Sequence, residues 1–294
     1  MELGKKQSSF KSSNLFQNLV FIQIIIMFCA CKANHGIDIE YKDGTEQTIT
    51  VRASVKATRI PDESVDPLIV TWNSGDTFCF FNDEYAGAVF HLVDGVGTEN
   101  GVFTGNGVNG MSKTIYPVAC RLGLENGFDQ LMLPLTGQVQ IGNNNNNNLS
   151  SFYYMIGQAE AHVPTNIVFN ILVAQVKWIL NFPDDSEGSV SKLEIFVDSG
   201  EELFVKSLSP SHHEHSIMTS RQSLALQNAE LDEEHIVTAY MMIAPVTFTN
   251  QDLTVRVSMT SQDESLYYYA ALPQKTINIQ AGGTYLIQLD LHKQ

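Results

Sequence analysis

Short segments in which apolar and polar residues alternate recur along this chain, and they constrain its fold more than any other feature. The clearest is Gln47–Val55, where Ile49, Val51, Ala53 and Val55 point one way and the polar residues between them point the other. A repeat of two residues is typical of a half-buried β-strand. The stretch is therefore predicted to be a strand with one buried face.

Similar segments, rich in Val, Ile, Phe, Tyr and Thr, follow along the rest of the chain and are separated by turn signals. A helical repeat is found at 221–231, which is expected to form a loop with one or two helical turns. Many short strands predict an all-β fold of antiparallel sandwiches. The predicted strand segments are 68–72, 77–81, 88–93, 113–119, 152–157, 167–181, 192–197, 236–243, 253–259, 275–279 and 284–291.

The N-terminal residues have the pattern of a secretory leader. Three lysines precede an apolar stretch at 15–30 that only three polar residues interrupt. The stretch is too short and too interrupted for a transmembrane span, which takes about 20 apolar residues. Because Phe28-Cys29-Ala30-Cys31 resembles a bacterial lipobox, residues 1–30 are predicted to be a lipoprotein signal peptide and Cys31 to carry the lipid. An ordinary signal peptide cut nearby is the alternative.

The length that remains after such a leader suggests two domains. We place their junction near 160–166, which gives an N-terminal domain at 31–162 and a C-terminal domain at 163–294. The six asparagines at 143–148 have no apolar side chain to bury and are predicted to be a solvated loop or linker.

Charge excludes one class of partner. The chain has a net charge of −15, and without residues 1–30 the charge becomes −17, from 14 basic and 31 acidic residues. Because a chain with this much negative charge repels nucleic acid, no nucleic-acid partner is expected. Cys79 and Cys120 are either a disulfide formed in an oxidising compartment or two small buried hydrophobic residues.

No set of residues predicts catalysis, and no cofactor or metal is expected. Gly95-Val96-Gly97 lacks the helix that a nucleotide site needs and is expected to be a hairpin turn. The histidines in His212-His213-Glu214-His215 could bind zinc, but an exposed loop is favoured because no second cluster completes the site. The acidic residues at 184–187 are expected to be a solvated turn rather than a calcium site.

Several short motifs, taken in order, resemble the fimbrillin family of Bacteroidetes, the lipoprotein pilins and their accessory subunits. The resemblance covers nearly the whole chain after the leader, although each motif alone is short. The motifs are Thr71-Trp72-Asn73-Ser74-Gly75-Asp76, Phe103-Thr104-Gly105, Ile115-Tyr116-Pro117, 152–156, 166–182 and Ile279-Gln280-Ala281-Gly282-Gly283-Thr284-Tyr285.

The resemblance implies two tandem transthyretin-like antiparallel β-sandwich domains and a structural subunit of a cell-surface fimbria that supports adhesion. In such pilins a lipid holds the precursor at the outer membrane, and an arginine-specific or trypsin-like protease removes the first strand. A strand from another subunit then fills the groove. Partners would be other copies, other fimbrial subunits and a host or bacterial surface receptor.

In this sequence the removable strand would be Gln47–Val55, with cleavage after Arg59 and, less favourably, after Arg52 within the strand. The alternating Tyr285, Ile287, Leu289 and Leu291 would form the apolar face of the donor strand. The alternative is that the segment is simply the last strand of the second domain.

The alternative function is a glycan-binding surface lipoprotein built from β-sandwiches. It would use exposed aromatic residues such as Trp72 or the tyrosines at 267–269. The tyrosines, like the aromatic residues at 152–154, are equally well explained by alternating burial in a sandwich.

Overall fold

Strands form nearly all the regular structure of this chain, as the period-two segments predicted. The computed structural model describes residues 47–56, 66–82, 87–107, 111–117, 128–159, 166–248, 253–261, 264–272 and 276–293. Across these ranges the chain is all-β, and the longest helical segment is the six-residue 3-10 helix Asn147–Phe152. No helix in the described ranges is long and apolar enough to cross a membrane.

The first ten strands run from the N-terminal side to the middle of the chain. They are β1 (Gln47–Val55), β2 (Asp66–Pro67), β3 (Thr77–Phe81), β4 (Ala88–Asp94), β5 (Asn100–Gly107), β6 (Lys113–Tyr116), β7 (Leu133–Pro134), β8 (Gln138–Ile141), β9 (Met155–Gln158) and β10 (Asn166–Ile171).

The remaining strands are β11 (Ala174–Asn181), β12 (Ser189–Val197), β13 (Phe204–Leu208), β14 (Ile217–Thr219), β15 (Arg221–Glu230), β16 (Ile236–Ile243), β17 (Val246–Phe248), β18 (Leu253–Ser261), β19 (Glu264–Ala271), β20 (Ile277–Ile279), β21 (Gly283–Asp290) and β22 (His292–Lys293).

Seven strands close into a barrel in the order β1-β10-β9-β6-β3-β4-β5, with β5 pairing back to β1. Its interior is filled by aromatic rings that are fully buried, among them Trp72, Phe78, Phe103 and Phe169. The Trp72 and Phe103 ring centroids lie 4.9 Å apart in an edge-to-face arrangement, which is a favoured geometry for aromatic pairs. The barrel therefore has a packed core rather than a lumen.

Two larger sheets in the second half share a separate cluster of buried residues. One has the order β16-β11-β21-β2 and the other β22-β19-β18-β12-β15-β8. Trp178 and Leu180 of the first sheet and Leu193 and Val257 of the second are buried in this cluster. Two small sheets, β14-β13-β7 and β17-β20, complete the pairing.

The sheets are mixed rather than purely antiparallel. Three neighbouring pairs run parallel, namely β1 with β10, β11 with β21 and β15 with β8. Parallel partners lie far apart in sequence, because a parallel pair needs a crossover connection. The alternation within a strand carries no information about such partners, so the expectation of antiparallel pairing throughout was wrong.

The helical expectation at 221–231 was also wrong. This segment is β15, and Gln222, Leu224 and Leu226 alternate as buried residues on one of its faces. Pairing with β12 on one side and β8 on the other fixes it in a sheet, and such tertiary pairing overrides a weak helical repeat.

Strands of the two halves interlock along the chain. β7 and β8 precede the expected junction at 160–166, yet they pair with β13 and β15. β10 follows the junction and closes the barrel, and the buried cluster of the barrel continues to Val173 and also includes Leu208, Met242 and Ala244. The described residues all belong to one compact unit. The division into domains at 31–162 and 163–294 stays a prediction.

Candidate functional site

β1 is held on both of its edges within the barrel. It pairs antiparallel with β5 over eight residues, from Gln47 opposite Gly107 to Ser54 opposite Asn100. It also pairs parallel with β10, from Arg52 opposite Asn166 to Val55 opposite Phe169. Removing this strand would leave the ladder groups of β5 and β10 without their partner, and unpaired strand edges are templates for another strand.

The inward face of β1 carries the apolar side chains that the alternation predicted. Ile49, Val51, Ala53 and Val55 are all buried in the barrel core. Gly107 of the partner strand makes room for Ile49, since a Cβ atom there would lie 3.2 Å from Ile49 Cδ1. The groove that β1 fills is therefore matched to its side chains.

The predicted processing residues have different positions. Arg52 lies on the exposed outer face of β1, where its backbone pairs with both neighbouring strands. A paired backbone resists proteolysis, and cleavage at either arginine stays a prediction. After the strand, the Lys56 amide donates to the Phe169 carbonyl at 2.9 Å. Arg59, like Cys31 and Cys120, lies outside the described residues, and Cys79 is buried in β3.

β21, which contains most of the predicted donor segment, is nearly an edge strand. Along one edge it pairs with β11 from Thr284 to Asp290. Along the other edge only Gly283 and Thr284 pair, with the two-residue strand β2. Within the described ranges the rest of this edge has no strand beside it, which leaves its backbone groups available to another chain.

The side chains of β21 alternate only in part. Leu289 and the following Leu291 are buried, and Tyr285 and Ile287 are half-buried. Leu286, on the opposite face, is 63% exposed. The apolar face of the predicted donor segment therefore packs on its own molecule, as the last long strand of its sheet.

The Trp72–Asp76 motif organises the barrel end next to β1. The Trp72 indole N–H donates to the Glu99 carbonyl at 3.2 Å, and the Asp76 carboxylate accepts from the Asn73 amide at 2.7 Å and from the Tyr116 hydroxyl at 3.0 Å. Burial, and then the Asp76 carboxylate, raise the pKa of Tyr116 well above its ordinary value. Tyr116 therefore stays a neutral donor at physiological pH.

The aromatic platform predicted for glycan binding is mostly not exposed. Trp72 and Tyr268 are buried in the two cores, and aromatic rings need an accessible face to stack on a sugar. Trp72 was therefore a wrong choice, because it fills the barrel. Tyr267, which alternates with Tyr268, is 43% exposed.

A ladder of buried side-chain amides was missed by the sequence analysis. Gln138 accepts from the Met242 amide at 2.7 Å and donates to the Met242 carbonyl at 2.7 Å. Gln140 accepts from the Tyr240 amide at 2.8 Å and donates to the Thr238 carbonyl at 2.9 Å. The side chains of β8 therefore substitute for a neighbouring strand along the edge of β16.

The asparagine tract extends this amide ladder. Asn143 accepts from the Thr238 amide at 2.7 Å and donates to the Ile236 carbonyl at 2.9 Å. Asn144 accepts from the Tyr240 hydroxyl at 2.6 Å. Asn143 and Asn144 lie in a turn, and Asn144 is exposed, as the prediction of a solvated loop has it, but the prediction did not include their hydrogen bonds to the β16 edge.

The histidine loop contains no assembled metal site in the part of the chain that the structure describes. No group of three or more His, Cys, Asp or Glu side chains lies close enough there to hold an ion. His212 instead lies with Nδ1 3.3 Å from Glu214 Oε1 and Nε2 3.8 Å from Asp129 Oδ1. Both acids are exposed, so these contacts lie at the solvent-accessible surface.

Comparisons with known proteins give structural similarity at low sequence identity. No protein-family model and no curated protein sequence matches the chain. A proposed cell adhesion protein from Bacteroides ovatus has 12% identity and a TM-score of 0.49, with 85% of this chain and 96% of that chain covered. Another from Bacteroides uniformis has 12% identity and a TM-score of 0.48, with 84% and 96% covered.

A fimbrial protein is also among the similar structures. The tip fimbrial protein Mfa3 from Porphyromonas gingivalis, with a C-terminal truncation, has 12% identity and a TM-score of 0.41, with 85% of this chain and 98% of that chain covered. Proposed cell adhesion proteins and a fimbrial protein of Bacteroidetes are therefore among the structures similar to this chain.

Proposed function

We propose that this chain is a non-enzymatic structural subunit of a cell-surface fimbria that supports cell adhesion. Its precursor carries lipid on Cys31 and is held at the outer membrane. A protease then cuts after Arg59 and releases β1, and a strand from another copy or another fimbrial subunit takes its place. The donor contains Tyr285, Ile287, Leu289 and Leu291.

The arrangement of β1 is the observation that carries this proposal. β1 is the first described strand, it ends just before the predicted cleavage segment, and it contributes four alternating side chains to a closed barrel. In β-augmentation main-chain hydrogen bonds give affinity and alternate side chains fix the register. The place that β1 occupies has two edges for pairing and an apolar groove. It therefore gives an incoming strand both main-chain hydrogen bonds and a fixed register.

The pairing of strands across the two halves is compatible with two tandem domains that exchange short strands. We propose that the barrel and the paired sheets are two transthyretin-like sandwiches that exchange short strands through β7, β8 and β10. The second sandwich then supplies β21, whose outer edge is covered, among the residues that the structure describes, by β2 alone. The donor and acceptor elements accordingly lie in different halves of the chain.

Controlled trimming tests the strand-exchange proposal. The purified precursor is treated with a trypsin-like protease, cleavage is located by mass spectrometry, and the oligomeric state is measured by light scattering and electron microscopy. We expect cleavage after Arg59 and growth of polymers.

Two arginine variants make the trimming test specific. Arg59→Gln should stay monomeric, whereas Arg52→Gln should be trimmed and polymerise like the original protein. A fully trimmed protein that stays monomeric would rule out the stalk-subunit role.

Lipid attachment is tested separately. In a bacterial host that processes lipoproteins, the chain should incorporate labelled palmitate and fractionate with outer membranes. Cys31→Ser should abolish labelling, while Cys29→Ser should not. Labelling that survives Cys31→Ser would place the lipid elsewhere or favour an ordinary signal peptide.

A further inference from the structure

Basic side chains gather on the outer face of one sheet of this acidic protein. Lys192 lies on β12, Arg256 on β18 and Arg221 on β15, three adjacent strands of the six-stranded sheet. All three surround the carboxylate of Glu194, whereas the whole chain carries nearly twice as many acids as bases. The local charge is therefore opposite in sign to the net charge.

The carboxylate of Glu194 contacts all three of these cations. Its side chain is 2% exposed, and its Oε1 lies 2.8 Å from Lys192 Nζ and 3.5 Å from Arg221 Nη1. Its Oε2 accepts from Arg256 Nε at 2.9 Å and also from Arg256 Nη2. One buried carboxylate cannot neutralise three cations, so the cluster keeps an excess of positive charge.

Aromatic rings orient the guanidinium groups. Phe196 lies under both of them, with Arg221 Cζ 5.6 Å and Arg256 Cζ 5.9 Å from its ring centroid. Tyr267 lies on the other side of Arg256, at 5.7 Å. Cation–π contacts of this kind hold a guanidinium flat while its outer N–H groups remain directed to solvent.

The cations remain accessible from outside. Lys192 is 44% exposed and Arg221 is 53% exposed at the side chain, and Arg256 is 29% exposed. The acid Asp198, just beyond the end of β12, accepts from the Thr254 hydroxyl at 2.9 Å. Exposed cations beside an exposed tyrosine ring form a surface that can pair with an anionic group and stack on an adjoining flat group.

We propose that this surface, formed by Lys192, Arg221, Arg256 and Tyr267 and called here the basic face, binds an acidic saccharide. The anionic groups of the sugar pair with the cations, and a ring face stacks on Tyr267. Arginine clusters also bind acidic peptides, but the exposed ring of Tyr267 beside these cations favours a saccharide, because it offers a flat surface on which a sugar ring can stack. The proposal does not depend on strand exchange.

Binding to defined polymers tests the basic face. Immobilised polygalacturonate carries only carboxylates, dextran sulfate carries only sulfates, and dextran is the neutral control. We expect the purified protein to bind at least one acidic polymer and not dextran, with an affinity that falls at least tenfold between 50 and 300 mM salt, by the general salt dependence of ion pairing. Whichever acidic polymer binds identifies the anion.

Substitutions locate the binding. The double variant Lys192→Gln/Arg221→Gln leaves the Arg256–Glu194 pair in place and should lose at least tenfold in affinity. Lys206→Gln removes an exposed cation from another sheet and should bind normally. Tyr267→Ala should weaken binding, and Tyr267→Phe should restore it. Thermal unfolding of each variant checks that it is folded.

Three results would overturn the proposal. The original protein could bind neither acidic polymer, or the double variant and Lys206→Gln could bind equally well. Polyglutamate could also bind as tightly as the polysaccharides with no effect of Tyr267→Ala, which would assign the basic face to an acidic polypeptide. Since polymerisation after trimming is measured separately, failure here leaves the fimbrial proposal standing, and the converse also holds.

Discussion

Trp72 shows at the scale of one residue how the barrel core is held. Its side chain is fully buried, its ring meets those of Phe103, Tyr116 and Phe169 edge to face, and its indole N–H has a carbonyl partner. A large side chain with so many contacts cannot be truncated without leaving a cavity. Its position in the sequence motif is therefore explained by packing.

We expect Trp72→Ala to lower the free energy of unfolding by about 3–5 kcal/mol, the range for aromatic truncations in cores. Ile69→Ala, three residues earlier, is the control, because Ile69 is 67% exposed and should change stability by less than about 0.5 kcal/mol. Urea unfolding of both variants measures the difference. Equal effects would mean that the buried position of Trp72 is wrong.

Glu194 gives a pH-dependent prediction. Burial raises the pKa of its carboxyl, but Lys192 and Arg256 outweigh that effect and lower the pKa below its ordinary value. A carboxyl with a lowered pKa in the folded protein stabilises it above the unfolded pKa, about 4.3 for Glu, and loses this contribution as pH falls through the folded value.

Glu194→Gln should therefore destabilise the protein at pH 7 by about 1–3 kcal/mol, the range for hydrogen bonds to charged groups. The difference from the original protein should shrink as pH falls below about 4.3, the ordinary pKa of an unfolded glutamate, and through the lower folded pKa of Glu194. Urea unfolding at pH 7, 5 and 3.5 measures it. A difference that is constant with pH would contradict the role of charge.

At the scale of elements, the amide ladder closes the edge of β16 without a strand. Gln138 is buried and also donates to the Leu135 carbonyl at 2.8 Å, so all of its bonds are to backbone groups. A sheet edge finished in this way satisfies its polar groups and offers none of them to another chain.

Gln138→Leu should leave the Met242 amide and carbonyl unpaired, at a cost of about 1–3 kcal/mol for each buried group left unsatisfied. Gln227→Leu is the matched control, because Gln227 is exposed on the neighbouring strand β15. Hydrogen exchange gives a second measurement, since the Met242 amide should lose protection in the first variant alone. Retained protection would show that another group replaces the glutamine.

The sequence predicted where strands form better than it predicted which strands pair with one another. The alternation of β1 predicted both the strand and its buried face, because the repeat is local. The segment 167–181 was expected to be a single strand, but it divides at Leu172 and Val173 into β10 and β11, which belong to different sheets. Both residues at the division are apolar, so no turn signal marks it.

The candidate sites were predictable to different degrees. β1 and its buried face followed from the strand's own pattern, whereas the basic face depends on residues from β12, β15 and β18 that meet only through pairing. Gln138 and Gln140 did leave a signal, since two polar residues at a spacing of two occupy a buried face. Such a pattern indicates side chains that bond to backbone, but it does not name the strand that receives them.

At the scale of the whole molecule, the proposed strand exchange requires β1 to leave its paired position in the barrel. Thr48 Oγ1 on β1 lies 3.2 Å from Asn106 Oδ1 on β5, in directly opposed residues. Both side chains are exposed, and opposed residues of an antiparallel pair lie within the range that a disulfide can bridge.

The double variant Thr48→Cys/Asn106→Cys should therefore lock β1 in place when oxidised. After trimming at Arg59 the oxidised protein should stay monomeric, and a reducing agent should release polymer growth. The single variant Thr48→Cys should polymerise under both conditions. Polymers that form from the oxidised double variant would show that β1 need not leave the barrel.

The finished edge of β16 has a consequence for crowding. When many copies of a sheet protein lie side by side on a surface, the unpaired backbone groups of their edge strands can pair with one another. The backbone groups of the β16 edge are instead hydrogen-bonded to amides of the same molecule, so a neighbouring molecule can contact this edge without pairing with it. Contact along the β16 edge therefore does not by itself join neighbouring molecules, whereas most of the outer edge of β21 has no strand beside it in the described residues.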